Sequence, residues 1–421
     1  MINLQLISLV SLLTIGGFQP VSSQEFVNFD NAYLPEIKSV IFTIPGLYSS
    51  APIINLGQGA LFLSFDELTT NGRYLRYQIR HCDRNWNPSD LEEMEYLEGF
   101  NDEELRDLEF SVNTKITYVH YELTIPNRDV RWTKSGNYLL HIYDEDTREP
   151  ILTRRFMVME NTAKVFGNLK RPANVSRINT HHEIDFTINH KDFPIANPRQ
   201  EIKAVILQNY RWDNAIFDVE PLFIKPDELQ FIYQDRLIFP AGKEFRSVDI
   251  RSLRFPSKNV LEVDQFLEIP EVKMKPDLKR TFQNYTNEPD VNGGFVIKSN
   301  DDDDTDVEAD YAHILFSLES AQPLYDYDVY LIGGFCDWQV QNRLKMEYED
   351  RYSAYFGEAI LKQGVYDYIY AALPKNGGNT DFEQLEGNWH EAENYYTILV
   401  YYRPFGQRYD RLIAVTTISE K

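Results

Sequence analysis

The chain has 421 residues, 14% of them aromatic, and a formal net charge of −23 from 42 Lys and Arg against 65 Asp and Glu. A chain of this length is expected to form about two to four domains, because single hydrophobic cores stop growing at smaller sizes. The acidic balance repels phosphates and anionic lipid headgroups, so nucleic acid and acidic membrane surfaces are excluded as favoured partners. Its two cysteines, Cys82 and Cys336, are too few for a disulfide framework and lack zinc-ligand spacing.

Residues 1–23 are predicted to be a cleaved secretory signal. Ile2 to Ile15 form an apolar run of signal-peptide length that is too short to span a bilayer, and small residues precede Gln24. No Lys or Arg precedes the run, which leaves a disordered segment or an N-terminal strand as the alternative. No Cys follows the expected cleavage site, which argues against a lipid anchor.

The segment 24–160 is predicted to be an antiparallel β-sandwich. Apolar and polar residues alternate from Ile37 onwards, for example at 75–79, 119–125 and 138–142, and such alternation is typical of strands with one buried face. Turn residues separate about seven short runs of this kind. A helix is expected only near 94–108.

The middle of the chain is less regular. Alternating runs interrupted by many prolines predict a second β domain over residues 161–270. Over residues 271–310 the alternation fades and charge accumulates, which favours a linker or extended arm that carries an acidic loop.

The sequence thus predicts an all-β fold of about three tandem antiparallel β-sandwich domains. The last of them, residues 311–421, contains a strand followed by an unusual corner. Every residue from Tyr395 to Tyr402 is β-branched, aromatic or aliphatic, which predicts a strand that is covered on both faces. Pro404-Phe405-Gly406 then predicts a tight turn, because proline lacks a ladder donor and glycine tolerates backbone angles that are closed to other residues. We expect this corner at a domain surface.

Two groups of residues have the side-chain types of metal ligands. The acidic cluster, which comprises Asp301 to Asp304, Asp306, Glu308 and Asp310, lacks the glycine and glutamate positions of a calcium loop, so a solvated loop is favoured and calcium binding stays open. His181, His182, Glu183 and His190 alternate between the two faces of a strand and are not expected to converge. The sequence therefore predicts no metal and no cofactor.

The search for catalytic motifs also favours a protein without enzymatic activity. The sequence contains no G-x-S-x-G elbow, no H-E-x-x-H pair and no glycine loop that would cradle a phosphate ahead of a helix. Paired carboxylates occur throughout so acidic a chain and indicate nothing specific.

Residues 329–339, VYLIGGFCDWQ, and 361–371, LKQGVYDYIYA, resemble the glycogen-binding modules of the early-set immunoglobulin-like class. The resemblance implies a platform on which a sugar ring stacks, with Trp338 and Asp337 as its candidate residues. In the alternative, Trp338 closes the end of its own sandwich. A secreted carbohydrate-binding or surface-glycan-binding β protein is thus the second hypothesis for function.

Motifs spread over most of the chain carry a wider resemblance. They are HCDRNW at 81–86, YLEGF at 96–100, TKSGNYLLHIYDED at 133–146, ILTRRFMV at 151–158, EGNWHEAEN at 386–394 and YYRPFGQRYDRLI at 401–413. Together they resemble the type IX secretion system plug protein family of Bacteroidota. The resemblance implies a non-enzymatic periplasmic protein, monomeric outside its complex, that binds the outer-membrane translocon, does not itself insert into lipid, and closes the pore in the resting state.

The candidate partner-binding residues are Arg403, Phe405, Arg408 and Arg411, a basic cluster in an acidic chain. Arginine and exposed aromatic residues are enriched in protein interfaces, which favours a docking surface for the translocon. The alternative is that the corner clamps the last domain against the one before it, or that an arginine pairs with Asp410.

Overall fold

The computed structural model describes residues 26–47 and 50–419, so the predicted signal at 1–23 lies outside the described residues. About 47% of the chain is strand and 6% is helix, which confirms the predicted all-β class of antiparallel, sandwich-like sheets. Within the described ranges the strands form three sandwich-like units. Searching these ranges for a helix with the length and apolarity needed to cross a membrane finds none.

The first sandwich packs two main antiparallel sheets face to face, and a two-stranded sheet contributes side chains to the same core. Its core is formed by alternating side chains from both sheets, with Phe42 of one sheet against Phe156 of the other at 5.9 Å between ring centroids. One sheet contains Asn31–Ala32, Pro150–Met159, Gly136–Asp144, Leu75–Cys82, Glu103–Leu105 and Ile53–Asn55; the second contains Ile37–Thr43, Leu61–Glu67, Val119–Ile125 and Asp107–Phe110; the small sheet pairs Val130–Trp132 with Leu97–Gly99.

The helix expected near 94–108 is a single turn, Glu93–Tyr96, and strands follow it. The backbone is already extended at Leu97, and Gly99 then has φ of +104°. A Cβ atom at this position would lie 1.8 Å from the carbonyl oxygen of Asp129, so only glycine allows the chain to pair here with Val130–Trp132. The extended pairing therefore overrides the local helical preference.

The second sandwich is built from two stretches that are distant in sequence. One sheet contains Lys164–Lys170, His181–Asn189, Glu228–Phe231, Phe223–Ile224 and Ile238–Pro240. The other contains Arg211–Val219, Ile202–Gln208, Tyr395–Tyr402 and Arg411–Ser419. A one-turn helix, Pro198–Glu201, leads into the second sheet.

The third sandwich is a ten-stranded sheet that folds over its own core, where Phe316 packs against Tyr368 at 5.0 Å. The strand Lys345–Glu349 pairs on both sides and links the two layers. The other strands are Arg246–Asp249, Val260–Asp264, Glu271–Met274, Asp277–Leu278, Phe295–Ile297, Tyr311–Glu319, Tyr327–Ile332, Ala354–Lys362 and Gly364–Pro374, and the short helices are Gly334–Cys336, Asn342–Leu344, Thr305–Glu308 and Glu383–Glu386.

Strand pairing divides the chain differently from the two domain boundaries expected at 270/271 and 310/311. The segment 271–310, interpreted as a linker or arm, supplies three strands and a helix to the third sandwich. The hairpin 395–419, expected in the last domain, completes the second sandwich instead. Alternation predicts that a strand exists but does not identify its partner, so the third sandwich appears as an insertion within the second only once pairing is known.

The strand Tyr395–Tyr402 is covered on both faces, as its composition predicts. Tyr396, Ile398 and Val400 point into the core of the second sandwich. Leu399 and Tyr401 point the other way, into a separate apolar cluster with residues of the first sandwich. Tyr401 also donates a hydrogen bond of 2.7 Å to Asn137 Oδ1 in that interface. One strand therefore belongs to a core and to an inter-domain joint at the same time.

Candidate functional site

The corner at 403–410 connects the last two strands and is a tight turn at the surface. Gly406 has φ of +86°, and the backbone N–H of Gln407 donates to Pro404 O at 3.0 Å, so the turn predicted from Pro404-Phe405-Gly406 is present. The Phe405 side chain is 100% exposed. The Arg403 guanidinium lies within the same turn and donates to Gln407 O at 3.1 Å.

The other two arginines of the corner face the first sandwich. Arg408 donates to Asp90 O at 2.9 Å and pairs with Glu95. Arg411 Nε donates to Glu160 Oε1 at 2.9 Å, and its second nitrogen also binds this carboxylate. Burial alone would raise the pKa of Glu160, but Arg411 and the Ser135 hydroxyl outweigh it and hold the pKa below its usual value. Arg408 and Arg411 therefore tie the second sandwich to the first.

Asp410 does not pair with the neighbouring arginines of the corner. Its buried carboxylate accepts a hydrogen bond from the backbone N–H of Arg84 at 3.0 Å and lies 3.3 Å from the Arg84 guanidinium. Arg84 also pairs with Asp218 of the second sandwich at 2.6 Å. Sequence reasoning did not single out Arg84, although it lies in the motif HCDRNW. The corner thus combines an inter-domain clamp with one uncovered aromatic ring at its tip.

Trp338 and Asp337 lie in the left-handed region of the backbone, after the short helix Gly334–Cys336. The Arg211 guanidinium covers the Trp338 ring, with its carbon 4.0 Å from the ring centroid, and Phe245 packs edge-on at 5.5 Å. Asp337 Oδ2 pairs with the Arg154 guanidinium at 3.2 Å. The ring therefore packs within a joint between sandwiches, an arrangement that offers a pyranose ring little of its face.

A cleft of about 950 Å³ opens where the three sandwiches meet, and Trp338 lines it. The Arg155 guanidinium lies between Trp86 and Trp212, 5.1 Å from the centroid of each ring. The described lining residues include neither His nor Cys, and the Ser50 hydroxyl is within hydrogen-bond distance of the Thr43 hydroxyl. The arrangement suits packing and binding, and among the described residues no nucleophile next to a base lines this cleft.

The histidines considered as metal ligands have other partners. His182 Nε2 lies 2.6 Å from His390 O, and His190 Nδ1 lies 3.1 Å from Phe193 O. His181 Nδ1 lies 2.8 Å from the Thr180 hydroxyl. His181 and His182 are adjacent on one strand and point to opposite faces, and His190 lies just beyond its end, so the three do not converge on one point.

Sequence reasoning missed several exposed apolar side chains of the third sandwich. The side chains of Phe266 and Phe282 are 88% and 97% exposed, and Leu261 on the edge strand is 59% exposed. Their signal in the sequence is a set of large apolar residues within a segment otherwise rich in charge and proline. The interpretation of part of this segment as a linker concealed it.

Comparisons with known proteins place the chain in a family. The family described as "Type 9 secretion system plug protein 1st domain" matches residues 37–160, which form most of the first sandwich. A crystal structure of a hypothetical protein from Parabacteroides merdae is 33% identical, covers 93% of this chain and 99% of its own, and superimposes with a TM-score of 0.89. No curated protein matches the chain.

A further solved chain is the C-terminal domain of the Streptococcus pyogenes antigen I/II-family protein AspA. It covers 90% of this chain and 98% of its own, but its 8% identity and TM-score of 0.15 carry no structural argument. The family match to the first sandwich is supported by the motifs at 81–86, 96–100, 133–146 and 151–158, which lie in that same unit. The chain belongs to the type 9 secretion system plug protein family.

Proposed function

We propose that this chain is a non-enzymatic periplasmic plug that binds the outer-membrane translocon of the type IX secretion system and closes its pore in the resting state. Family membership supports a role in this secretion pathway. A plug has to be rigid while it closes the pore, and it has to dissociate when cargo passes. Inter-domain packing supplies the rigidity, and a charged surface keeps the contacts with the translocon transient.

The observation that carries the proposal is the way in which the three sandwiches are fixed to one another. Apolar residues of the first and second sandwiches form a shared cluster, with Leu139 and Met157 against Leu399 and Leu412. Inter-domain interfaces of this apolar kind restrict relative motion, whereas polar ones allow it. The body is therefore suited to blocking an opening without changing shape.

Phe405 supplies a candidate contact with the translocon. The turn that carries it is held by the Arg408 and Arg411 clamp, so the backbone that presents this fully exposed ring has a defined position. An exposed aromatic side chain on an ordered turn suits an interface anchor, because the backbone does not have to be ordered on binding. Phe282 is a second candidate with nearly equal exposure.

The proposal is tested by adding the purified chain to translocon in planar bilayers and measuring ion conductance. We expect the wild-type chain to lower the conductance, and Phe405→Ala to require a higher concentration for the same effect. Binding measured by co-purification without any fall in conductance would contradict the plug and leave only an accessory role.

Phe282→Ala is the matched variant, since it removes an equally exposed ring from another sandwich. Thermal unfolding of each variant alone should match that of the wild type, because neither ring is packed. If Phe282→Ala alone weakens association with the translocon, the corner at 403–410 is not the docking surface, but the proposed role as a plug still holds.

The proposed compartment is tested separately. Native protein that begins near Gln24 in periplasmic extracts would support a periplasmic location, and an intact Met1 would contradict it.

A further inference from the structure

The acidic loop 301–310 of the third sandwich lies against the first sandwich. The backbone N–H of Val112 donates to Val307 O at 2.8 Å, and that of Lys115 donates to Asp310 Oδ1 at 2.6 Å. Tyr118 OH donates to Ala309 O at 3.0 Å. The loop thus has a defined position, and its acidic side chains are brought next to the strand Val119–Ile125.

Three side chains from these two units converge. His120 and Glu122 are two residues apart on one strand and point to the same side of the sheet, and Asp306 reaches them from the short helix of the acidic loop. One imidazole nitrogen of His120 and one carboxylate oxygen each of Glu122 and Asp306 lie within 4.8 Å of one another. His120 Nε2 is 3.5 Å from Glu122 Oε1, a separation that two ligands of one metal ion commonly show.

The orientation of His120 provides an independent observation. This residue is 6% exposed, and its Nε2 is buried without a hydrogen-bond partner among the described residues. Its other nitrogen, Nδ1, lies 2.5 Å from Asp66 Oδ1. A carboxylate that accepts the Nδ1 proton fixes the tautomer and leaves the Nε2 lone pair free, which is the arrangement found behind metal-binding histidines.

Asp66 is itself held firmly. Its second oxygen accepts from Lys362 Nζ at 2.8 Å and from Tyr311 OH at 2.6 Å, both in the third sandwich. The imidazole ring is therefore fixed by residues that span the same joint as the acidic loop. This preorganisation lowers the cost of binding an ion, because the nitrogen ligand does not have to be ordered afresh.

We propose that His120, Glu122 and Asp306 form a binding site for a divalent transition metal, with Zn²⁺ as the representative ion. One imidazole nitrogen and two carboxylate oxygens suit a four-coordinate zinc ion whose remaining position is taken by water. Calcium fits less well, because it requires six to eight oxygen ligands. The ion would fasten the acidic loop to the first sandwich. In the competing arrangement without metal, a protonated His120 bridges the Asp66 and Glu122 carboxylates.

The test is a titration of ZnCl₂ into the full chain after treatment with a chelator, followed by calorimetry. We expect one site per chain, with the affinity lowered at least about tenfold by either Glu122→Gln or Asp306→Asn. Asp303→Asn is the matched control, since it removes the same charge from an exposed position of the same loop. Its affinity should equal that of the wild type. Replacing zinc by Co²⁺ should give visible absorption that Asp306→Asn alters and Asp303→Asn leaves unchanged.

Thermal unfolding provides a readout that does not depend on heats of binding. Zinc should raise the melting temperature of the wild type and of Asp303→Asn, and should have little effect on Asp306→Asn. If Asp303→Asn and Asp306→Asn weaken zinc binding equally, the ion is attracted only by the overall charge of the acidic loop, and the proposal is wrong. Absence of any stoichiometric zinc binding would overturn it in favour of the protonated His120 bridge.

Discussion

Asp367 is a carboxylate whose burial has consequences for stability. It accepts hydrogen bonds from the backbone N–H groups of Val291 and Gly293 at 2.6 and 3.0 Å. Burial, together with the nearby charge of Asp290, raises its pKa from 3.8 to about 7. The folded chain therefore retains a proton between these two values that the unfolded chain releases.

The sign of the pH dependence follows from this difference. Because the folded state binds the extra proton, the contribution of Asp367 to stability is full below the unfolded pKa and is lost as the pH rises towards about 7. The slope is at most about 1.4 kcal/mol per pH unit. Asp367→Asn keeps an acceptor for both N–H groups and removes the charge. We expect its urea midpoint to change less between pH 5 and pH 7 than that of the wild type, and equal slopes for both proteins would contradict the assignment.

The packing of the Trp338 ring gives a second prediction about stability at the scale of single residues. Truncation to alanine should lower the free energy of unfolding by about 3 kcal/mol, near the lower end for a tryptophan because the ring is only partly buried. Gly293→Ala should also destabilise, since a Cβ there would lie 2.4 Å from the Trp338 ring. The loss of stability of both variants is measured by thermal unfolding.

Affinity gels containing glucan or cell-wall polysaccharide test the glycan-binding hypothesis. The wild type should show no shift, and a shift that Trp338→Ala abolishes would instead support glycan binding.

For single residues, the local backbone conformation could be predicted from the sequence, but the residues that each side chain contacts in the fold could not. The turn at 404–406 is visible in the sequence because proline and glycine act through their own backbone angles. The partner of Asp410 was not predictable, since Arg84 is far away in the chain and competes with two nearer arginines. The expectation of no metal came from neighbours within one segment. It did not consider His120, which only the fold brings to the acidic loop.

Among the elements, the strand Tyr395–Tyr402 shows both the strength and the limit of sequence reasoning. Its bounds and its burial on both faces agree with its composition. Its neighbour Ile202–Gln208 could not be identified, because many strands in this chain have a similar apolar pattern. The helix near 94–108 and the linker at 271–310 were wrongly expected for a related reason. Long-range pairing decided the structure of both segments.

The corner that follows this strand gives a prediction at the same scale. Arg411→Ala should destabilise the chain by about 1 to 2 kcal/mol, because it removes a double hydrogen bond to a half-buried carboxylate. Arg403→Ala should change stability by no more than about 0.5 kcal/mol, since this side chain binds only its own turn. Chemical denaturation distinguishes the two. Equal effects would show that the clamp is not specific to Arg411.

For the whole molecule, the joint between the first and third sandwiches is centred on a buried ion pair. Burial would raise the pKa of Asp66, but Lys362 and His120 reverse the effect and hold it below its usual value. Both members of the Asp66–Lys362 pair are at most 1% exposed, so neither charge has access to water when its partner is removed. The fixed relation of these two sandwiches depends on this pair as well as on apolar contact.

Lys362→Met should therefore destabilise the whole chain by about 3 to 5 kcal/mol, because it leaves the Asp66 carboxylate buried with one partner fewer. Adding Asp66→Asn to this variant should recover part of the loss. Lys345→Met is the matched control, as Lys345 pairs with Asp328 at 3.2 Å in a partly exposed position and should contribute less. The free energy of unfolding in urea measures all three. A loss for Lys345→Met as large as that for Lys362→Met would contradict the special position of the buried pair.

The placement of the third sandwich inside the second has a consequence for the order of folding. Two of the four strands in one sheet of the second sandwich, Tyr395–Tyr402 and Arg411–Ser419, are synthesised after the whole of the third. The second sandwich has to wait with an open sheet edge at Ile202–Gln208 until the last strands arrive. During this interval the open edge is a template for incorrect pairing. The last strands to be synthesised thus complete the second sandwich and its apolar contact with the first, and they carry the corner with Phe405 at its tip.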